Sequence, residues 1–182
     1  INSSEAHEFL FFYKPDGAAD ESCLGQWQSS PFAVDADEYA CAEQFMMASK
    51  AQIFGDEQTR AQIMQSCDAK QMKALGRQVR GFDERLWGEV RYSVVLSGNY
   101  YKFTQNPAMM RFLLATGDKI LVEASPLDKI WGIGLGQQSE NASRPSAWRG
   151  QNLLGFALME VRDELRRLYK NYDLIDKKFL RD

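Results

Sequence analysis

The stretch from Glu38 to Asp56 (EYACAEQFMMASKAQIFGD) constrains the fold of this chain more than any other. Mainly apolar side chains recur in it at helical spacing, which predicts one amphipathic helix with a stripe facing a core. The predicted stripe consists of Ala42, Phe45, Met46, Ser49 and Ile53. We therefore expect the rest of the chain to pack around this helix.

Two charged residues of the same helix border the predicted stripe. Glu43 and Lys50 are seven residues apart, so they lie nearly in line, two helical turns from each other. A carboxylate and an amine at the edge of a core are costly unless they have partners. Two explanations are open at this point: an ion-pair network or solvated shoulder, and a functional pair.

The composition limits the chemistry that this chain can perform. The only histidine is His7, in a polar N-terminal stretch. Ser-His-Asp and Cys-His catalysis, and histidine-rich metal sites, would all depend on that one residue. Acid–base work therefore falls to carboxylates, lysine or tyrosine. The net charge of −3, with basic residues spread along the chain, argues against broad duplex binding but leaves open a pocket for one or two phosphates.

The cysteines and the hydropathy indicate where the protein works. There are three cysteines (Cys23, Cys41 and Cys67) and no CxxC motif, which predicts a reducing compartment and no structural zinc. No apolar run approaches the roughly 18–20 residues of a membrane span. We expect an intracellular, cytoplasmic protein outside the membrane. The sequence leaves the oligomeric state open.

The order of the predicted elements indicates the fold class. Strands are predicted at Phe9–Tyr13, Pro31–Val34 and Lys119–Ala124, the last apolar enough to be central to a sheet. Periodicity and caps predict five further helices, at Asp56–Cys67, Ala69–Val79, Asp83 to about Gly98, Pro107 to Gly117, and Gly150–Tyr172. Few strands among many helices predict an α+β fold, a helix-rich single domain over residues 9–172 with a small central β-sheet. Residues 1–8 are predicted to be a disordered leader and 173–182 a C-terminal tail.

A glycine-rich loop follows the predicted central strand. In WGIGLG (131–136), Gly132, Gly134 and Gly136 alternate, which lets a ligand approach the main chain closely. A dinucleotide fingerprint would need a helix directly afterwards, and the polar, proline-containing sequence that follows excludes it. Two interpretations remain: a loop that lines a phosphate or sugar, and a sheet-edge loop that needs tight turns.

Further aromatic and charged residues have the chemistry of a nucleotide site. Trp131 and Trp148 stand beside glycines in polar loops, which suits stacking on a planar ligand, whereas Trp87 has core spacing. Lys73 and Arg77 are either a phosphate clamp or an ordinary exposed pair. The remaining candidates are Glu123, Asp128 and Lys102. Lys102 lies just before a predicted helix start, where it either offers a cation to an anion or serves only in capping and solvation. The set suits a negatively charged, nucleotide-like ligand with an aromatic base.

Six blocks of this sequence resemble the YbiA-like, or NADAR, family. They occur in the family's order and spacing and cover roughly residues 9–168. The blocks are AEQFMMASKAQIFGD (42–56), KALGRQV (73–79), WGEVR (87–91), KFTQN (102–106), LVEASPLDKIWGIGL (121–135) and WRGQNLLGFALMEVR (148–162).

The resemblance implies a helix-rich α+β fold and an N-glycosidase that cleaves bonds to ribose. Two substrate classes go with the family: ADP-ribose attached to guanine in nucleic acid, and phosphorylated ribosylamino-pyrimidine intermediates of riboflavin synthesis. The expected partner is therefore ADP-ribose or ADP-ribosylated nucleic acid, with no metal and no cofactor required. Separated cations and indoles favour the first class. A non-catalytic ADP-ribose-binding module and an interaction scaffold remain as alternatives.

By resemblance, Glu43 is the principal catalytic carboxylate, with Asp128 and Trp131 in the same site. Lys50 either lowers the pKa of Glu43 or traps C1′ as a Schiff base. Trp87 or Trp131 is expected to stack on the base. The other expected substrate contacts are Arg77, Lys102, Gly132, Gly134, Glu123 and Trp148.

Overall fold

A computed structural model of the protein describes residues 8–13 and 20–170. His7, most of the predicted leader and the predicted tail lie outside these ranges. The strands are β1 (Phe9–Phe12), β2 (Phe32–Val34), β3 (Asp37–Tyr39) and β4 (Ile120–Glu123). The helices are α1 (Ala42–Ile53), α2 (Glu57–Gln65), α3 (Ala69–Gly76), α4 (Glu84–Gln105), α5 (Pro107–Ala115) and α6 (Leu153–Leu168). Short 3-10 helices span Asp20–Leu24 and Pro145–Ala147.

This architecture confirms the predicted helix-rich α+β class. The described strands form two small sheets: β1 and β4 pair in parallel, and β2 and β3 form an antiparallel hairpin. Within the described residues, no helix is long and apolar enough to span a membrane.

Helix α1 packs against α2, α3 and α4 and lies at the centre of the helical part of the fold. Partners on several sides bury more than one face, and the buried set is Ala42, Glu43, Gln44, Met46, Met47, Ala48 and Ala51. The predicted stripe is therefore wrong at its C-terminal end. Ile53 is 39% exposed because the last turn of the helix emerges at the surface.

The start of α1 also differs from the prediction. The helix begins at Ala42 rather than Glu38, because residues 37–39 are already committed to the hairpin with β2. Asp35 turns the chain there with a φ of 54°. The rings of Phe32 and Tyr39 then stack across the two strands at 5.6 Å between centroids.

Helix α4 begins as predicted, with the Asp83 side chain accepting a hydrogen bond from the Leu86 amide, but it runs seven residues past Gly98 to Gln105. Gly98 does not stop the helix; it makes room for a neighbour. A Cβ at this position would lie 2.6 Å from the ring of Phe45 in α1. Lys102 consequently lies in the last turn of α4 and not in a loop ahead of a helix.

The last helix fixes the edge of β4 that β1 does not cover. Asn152, in a left-handed conformation just before α6, accepts a hydrogen bond from the Glu123 amide (3.0 Å) and donates one to the Leu121 carbonyl (2.9 Å). Gly155 lets α6 approach closely, since a Cβ there would lie 2.1 Å from the Leu121 carbonyl oxygen. These contacts set the position of Glu123 and of the loop that follows it.

Candidate active site

A cavity of about 760 Å³ lies between the start of α1, helix α3 and the loop after β4. Six of the candidates named from the sequence line it: Glu43, Lys73, Arg77, Glu123, Asp128 and Trp131. The other lining residues are Tyr13, Gly25, Gln26, Trp27, Met46, Lys70, Ala74, Ser125, Leu127, Lys129 and Ile130. A second groove of about 680 Å³, between α4 and α6, contains none of the predicted site residues.

Glu43 lies in the first turn of α1 and is only 2% exposed. Its side chain accepts a hydrogen bond from the side chain of Trp27, whereas Oε1 has no hydrogen-bond partner among the described residues. Burial raises the pKa of Glu43 to about 7, although the positive charge of Lys73 opposes the shift. A carboxyl group with this pKa exchanges its proton near neutral pH, which suits acid–base work.

Asp128 occupies a different environment in the same cavity. Its Oδ1 accepts hydrogen bonds from the amides of Ile130 (2.9 Å) and Trp131 (2.8 Å). Its Oδ2 lies 3.9 Å from the ammonium group of Lys73. Two amides and an ammonium group together suit an anionic carboxylate.

Glu123 ends β4 and completes a group of three carboxyls around the cavity. Its Oε2 is buried and has no hydrogen-bond partner among the described residues. Burial raises the pKa of Glu123 to about 8, and the negative charge of Asp128 adds to the shift. The raised pKa favours the protonated form of Glu123, which can donate a hydrogen bond. In the described ranges no three His, Cys, Asp or Glu side chains could together hold a metal ion, and the predicted metal-free mechanism stays a prediction.

The cations of the site come mainly from α3. Lys73 and Arg77 both line the cavity, as their four-residue spacing allows, and Lys70 and Lys129 complete the basic lining. Lys73 Nζ also lies 5.8 Å from the ring centroid of Trp27. Of the two interpretations of the Lys73–Arg77 pair, this placement favours the phosphate clamp.

The glycines of the loop after β4 shape the cavity without lining it. A Cβ on Gly132 would lie 2.8 Å from the Glu123 carbonyl oxygen and 3.1 Å from that of Asp128. Gly134 has a φ of 67°, which favours glycine. Both residues are buried. Their position supports the second interpretation, a loop that needs tight turns, because these glycines hold the loop against the end of β4.

The structure does not bring Lys50 or Trp87 to the cavity wall. Lys50 Nζ donates to the Gly76 carbonyl (2.8 Å) and lies 4.0 Å from the ring centroid of Phe82. Burial lowers the pKa of Lys50. Trp87 is 8% exposed and belongs to the core, as its spacing indicated. The Lys50 side chain therefore ties α1 to α3.

Lys102 and Trp148 also lie outside the lining. Lys102 is fully buried, and its Nζ donates to the Gly25 carbonyl at 2.9 Å. A side chain in this position has no access to a phosphate at the surface. Trp148 donates from Nε1 to the Ala142 carbonyl (2.7 Å) and packs edge-on against Phe9. That contact uses the indole for packing and not for stacking on a ligand.

Sequence reasoning missed Trp27 as a site residue. It lines the cavity, is 36% exposed and bonds the candidate catalytic carboxyl of Glu43. One signal was available: Trp27 lies two residues after Gly25 in a polar stretch, a setting close to the one that singled out Trp131.

Comparison with known proteins decides the family. The family model described as NADAR domain matches residues 11–166, most of the chain. The chain belongs to the NADAR family. This membership confirms the resemblance seen in the six sequence blocks, and the fold seen here is the one that the resemblance implied.

Relatives of this NADAR domain cover nearly its whole length. A protein of Acanthamoeba polyphaga mimivirus named as an N-glycosidase is 41% identical over 166 residues, covering 88% of this chain and 98% of that protein. N-glycosidase YbiA of Escherichia coli is 28% identical over 155 residues, covering 85% and 86%. A riboflavin biosynthesis protein of Vibrio vulnificus is 28% identical over 96% of this chain but only 43% of its own length.

The NMR structure of YbiA from E. coli has the same fold. It superposes with a TM-score of 0.72 and covers 92% of this chain and 93% of that chain at 24% identity. At this identity the likeness establishes the fold alone. The roles of Glu43, Asp128 and the other site residues of this NADAR domain stay predictions.

Proposed function

We propose that this protein is an N-glycosidase that hydrolyses a ribosyl C1′–N bond and removes ADP-ribose from guanine in nucleic acid. Family membership supports the reaction class, since relatives in the NADAR family are named N-glycosidases, which are hydrolases of N-glycosyl bonds. One observation carries the mechanism: the buried, proton-exchanging carboxyl of Glu43 shares a cavity with Asp128, whose partners suit an anion.

Cleavage of the bond requires opposite charges beside its two atoms, C1′ and the leaving nitrogen. Positive charge develops on the ribose and negative charge on the leaving nitrogen, so an anion is needed near C1′ and a proton near the nitrogen. In the proposal, Asp128 faces C1′ and orients the attacking water. Glu43 in its acid form protonates the leaving nitrogen and takes a proton back from the water. Glu123, itself protonated, donates a hydrogen bond to a ribose hydroxyl.

Lys50 has no step in this mechanism. Its ammonium group is bonded to the Gly76 carbonyl and lies outside the cavity lining, so neither role predicted for it gains support. Lys73 is the cation whose charge lowers the pKa of Glu43 most. The proposed mechanism therefore contains no Schiff-base step.

The size and charge of the cavity favour ADP-ribose over a smaller ligand. About 760 Å³ suits a ligand of dinucleotide-like size. Separated cations for a pyrophosphate come from Lys70 and Lys73 on α3, from Arg77 directly after that helix, and from Lys129 in the loop after β4. Trp27 and Trp131 line the same cavity and provide faces for a purine. A single phosphate would leave most of these groups unused.

One of the two alternatives has specific support. The Vibrio vulnificus relative is named a riboflavin biosynthesis protein, which favours phosphorylated ribosylamino-pyrimidine intermediates as the second substrate class. A module that binds ADP-ribose without cleaving it would need the same cations and indoles but not the buried carboxyls. The orphaned oxygens of Glu43 and Glu123 therefore weigh against that module.

The deciding experiment is release of ADP-ribose from an oligonucleotide that carries ADP-ribosylated guanine. We expect release by the wild type and none by Glu43→Gln. Glu89→Gln, which changes an exposed carboxylate of α4, is the matched control and should keep full activity. Hydrolysis of ribosylamino-pyrimidine phosphates alone would establish the second substrate class. Tight binding of ADP-ribose without turnover of either substrate would establish the binding module.

A further inference from the structure

Lys102 is a buried cation that the proposed mechanism does not use. Its side chain is fully buried in the last turn of α4, and burial lowers its pKa to about 8. Placing an ammonium group in a core is costly unless a hydrogen bond compensates for the lost water. Lys102 meets this need by donating to the Gly25 carbonyl at 2.9 Å. This bond holds Gly25 against the end of α4.

The bond anchors a short segment, residues 25–27, that passes between α4 and the active-site helix α1. Asn99, one turn before Lys102, donates from Nδ2 to Gln26 Oε1 at 2.9 Å. On the opposite side, the backbone amide of Glu43 donates to the Gln26 carbonyl at 3.0 Å. The next residue, Trp27, lines the same cavity as Glu43, and a hydrogen bond from its side chain is among the causes that lower the pKa of the Glu43 carboxyl. The indole N–H is the donor, because it is the only one this side chain has.

We propose that Lys102 and Asn99 are positioning residues that orient the Glu43 carboxyl through residues 25–27. They hold the segment from α4, and the segment presents the Trp27 indole to the carboxyl. This inference deepens the proposed function and rests on it for the meaning of Glu43, although its central contact can be measured without turnover.

The electrostatic consequence has a definite sign. A hydrogen bond donated to a carboxylate favours the charged form, so the Trp27 indole lowers the pKa of Glu43 against the effect of burial. Loosening residues 25–27 weakens this bond and must raise that pKa further. The other groups that act on Glu43 are Lys73 of α3, Arg77 directly after that helix, Glu123 at the end of β4 and Asp128 in the loop that follows.

The first test is a pair of variants that loosen the segment in different ways. Lys102→Met removes one anchor and a charge, whereas Asn99→Leu removes the other anchor and no charge. In each variant we expect the pH at which kcat/KM for ADP-ribose release falls to rise by about one unit, since loss of a hydrogen bond to a charged group corresponds to roughly that shift. Asn99→Leu also keeps the proposal testable where Lys102→Met fails to fold.

Combination with Trp27→Phe shows whether the effect passes through the indole. In a Trp27→Phe background, neither Lys102→Met nor Asn99→Leu should move the profile further. An undiminished shift there would overturn the proposal in favour of a direct charge effect of Lys102. Arg162→Met is the matched control, because Arg162 is another buried cation. It donates to Thr116 Oγ1 and the Lys119 carbonyl, and all three residues are far in sequence from residues 25–27. An equal shift in that variant would also overturn the proposal, as it would indicate general loosening of the fold.

A spectroscopic measurement separates this inference from the proposed function. The indole N–H signal of Trp27 in ¹⁵N-labelled protein, assigned by its loss in Trp27→Phe, should titrate with a midpoint near pH 7 in the wild type. The titration should vanish in Glu43→Gln, and its midpoint should rise in Lys102→Met and Asn99→Leu. This behaviour without turnover of any substrate would refute the proposed function and leave the inference intact. A signal that does not titrate would overturn the inference even in an active enzyme.

Discussion

Lys73 Nζ lies 3.9 Å from Oδ2 of Asp128, a contact that joins α3 to the loop after β4 across the candidate active site. Asp128 also accepts hydrogen bonds from two backbone amides, and it therefore lies among groups that suit an anion. Burial instead raises the pKa of Glu43 to about 7 and that of Glu123 to about 8. One cavity thus holds carboxyls in different environments, which is the arrangement that separates an acid from an anion in a catalytic site.

The first prediction concerns the pH dependence of turnover. If protonated Glu43 donates to the leaving nitrogen, kcat/KM should fall as the pH rises through about 7, because the acid form is lost over that range. Initial rates of ADP-ribose release between about pH 5 and about pH 9 measure this, since kcat/KM reports the groups of the free enzyme. A rate that instead rises through pH 7 would assign Glu43 as a general base.

The second prediction concerns the stability cost of the same carboxyl. The pKa of Glu43 is raised from 4.5 to about 7 on folding, so its protonation stabilises the fold below pH 4.5 and this stabilisation is lost as the pH rises through 7. Above pH 7, Glu43→Gln should therefore raise the free energy of unfolding by up to about 3 kcal/mol, and by much less near pH 4.5. Urea unfolding at both pH values measures the difference.

The control for that measurement is Glu89→Gln, which removes an exposed carboxylate of α4. It should leave the stability almost unchanged at either pH, because exposed charges contribute little. Equal effects of Glu43→Gln at acid and alkaline pH would show that the gain comes from packing and not from titration.

The third prediction separates Lys73 of α3 from Arg77, the residue that directly follows this helix. Arg77→Met should raise KM about tenfold with little change in kcat, because removing a charged hydrogen bond to phosphate costs binding energy in both the ground and transition states. Lys73→Met should also lower kcat, since Lys73 contacts Asp128 and lies beside the ring of Trp27. Steady-state kinetics with ADP-ribosylated oligonucleotide distinguish the two patterns.

Arg85→Met, which changes an exposed cation at the start of α4 outside the cavity lining, is the control for both variants. It should match the wild type. The assignment of Arg77 to phosphate fails if Arg77→Met lowers kcat and leaves KM unchanged.

Local patterns were enough to single out candidate residues whose position depends on one element. Glu43 follows from the periodicity of α1, and Asp128 follows from its place after the apolar strand β4. The family resemblance added the role of each. The fold class also followed from the order and type of the elements, because short strands among long helices leave few architectures.

Residues whose role depends on contacts distant in sequence were not predictable in this way. Lys102 has the spacing of an ordinary helix-end cation, and only its contact with Gly25, 77 residues away, shows that it points inward. Trp27 is brought to Glu43 by that same segment. The hairpin of β2 and β3 likewise shortened α1, because pairing with Phe32–Val34 outweighed the helical pattern that begins at Glu38.

The last prediction tests how closely the fold and the site depend on each other, through two glycines in helices. Gly155→Ala should destabilise the protein by roughly 1–3 kcal/mol, because its Cβ would lie 2.1 Å from the Leu121 carbonyl oxygen and 2.4 Å from Asn152 Nδ2. The gain in helix propensity, about 1 kcal/mol, does not offset such a clash. Since Asn152 holds the Glu123 amide, kcat/KM should fall as well.

Gly88→Ala is the matched change, in α4, where an added Cβ meets nothing within 4 Å. It should stabilise the protein by up to about 1 kcal/mol through helix propensity alone and leave kcat/KM unchanged. Thermal and urea unfolding of both variants, with their kinetics, give the comparison. Gly155→Ala with wild-type stability would mean that α6 can move away from β4. Wild-type kinetics in a destabilised Gly155→Ala would mean that the position of Glu123 does not depend on α6.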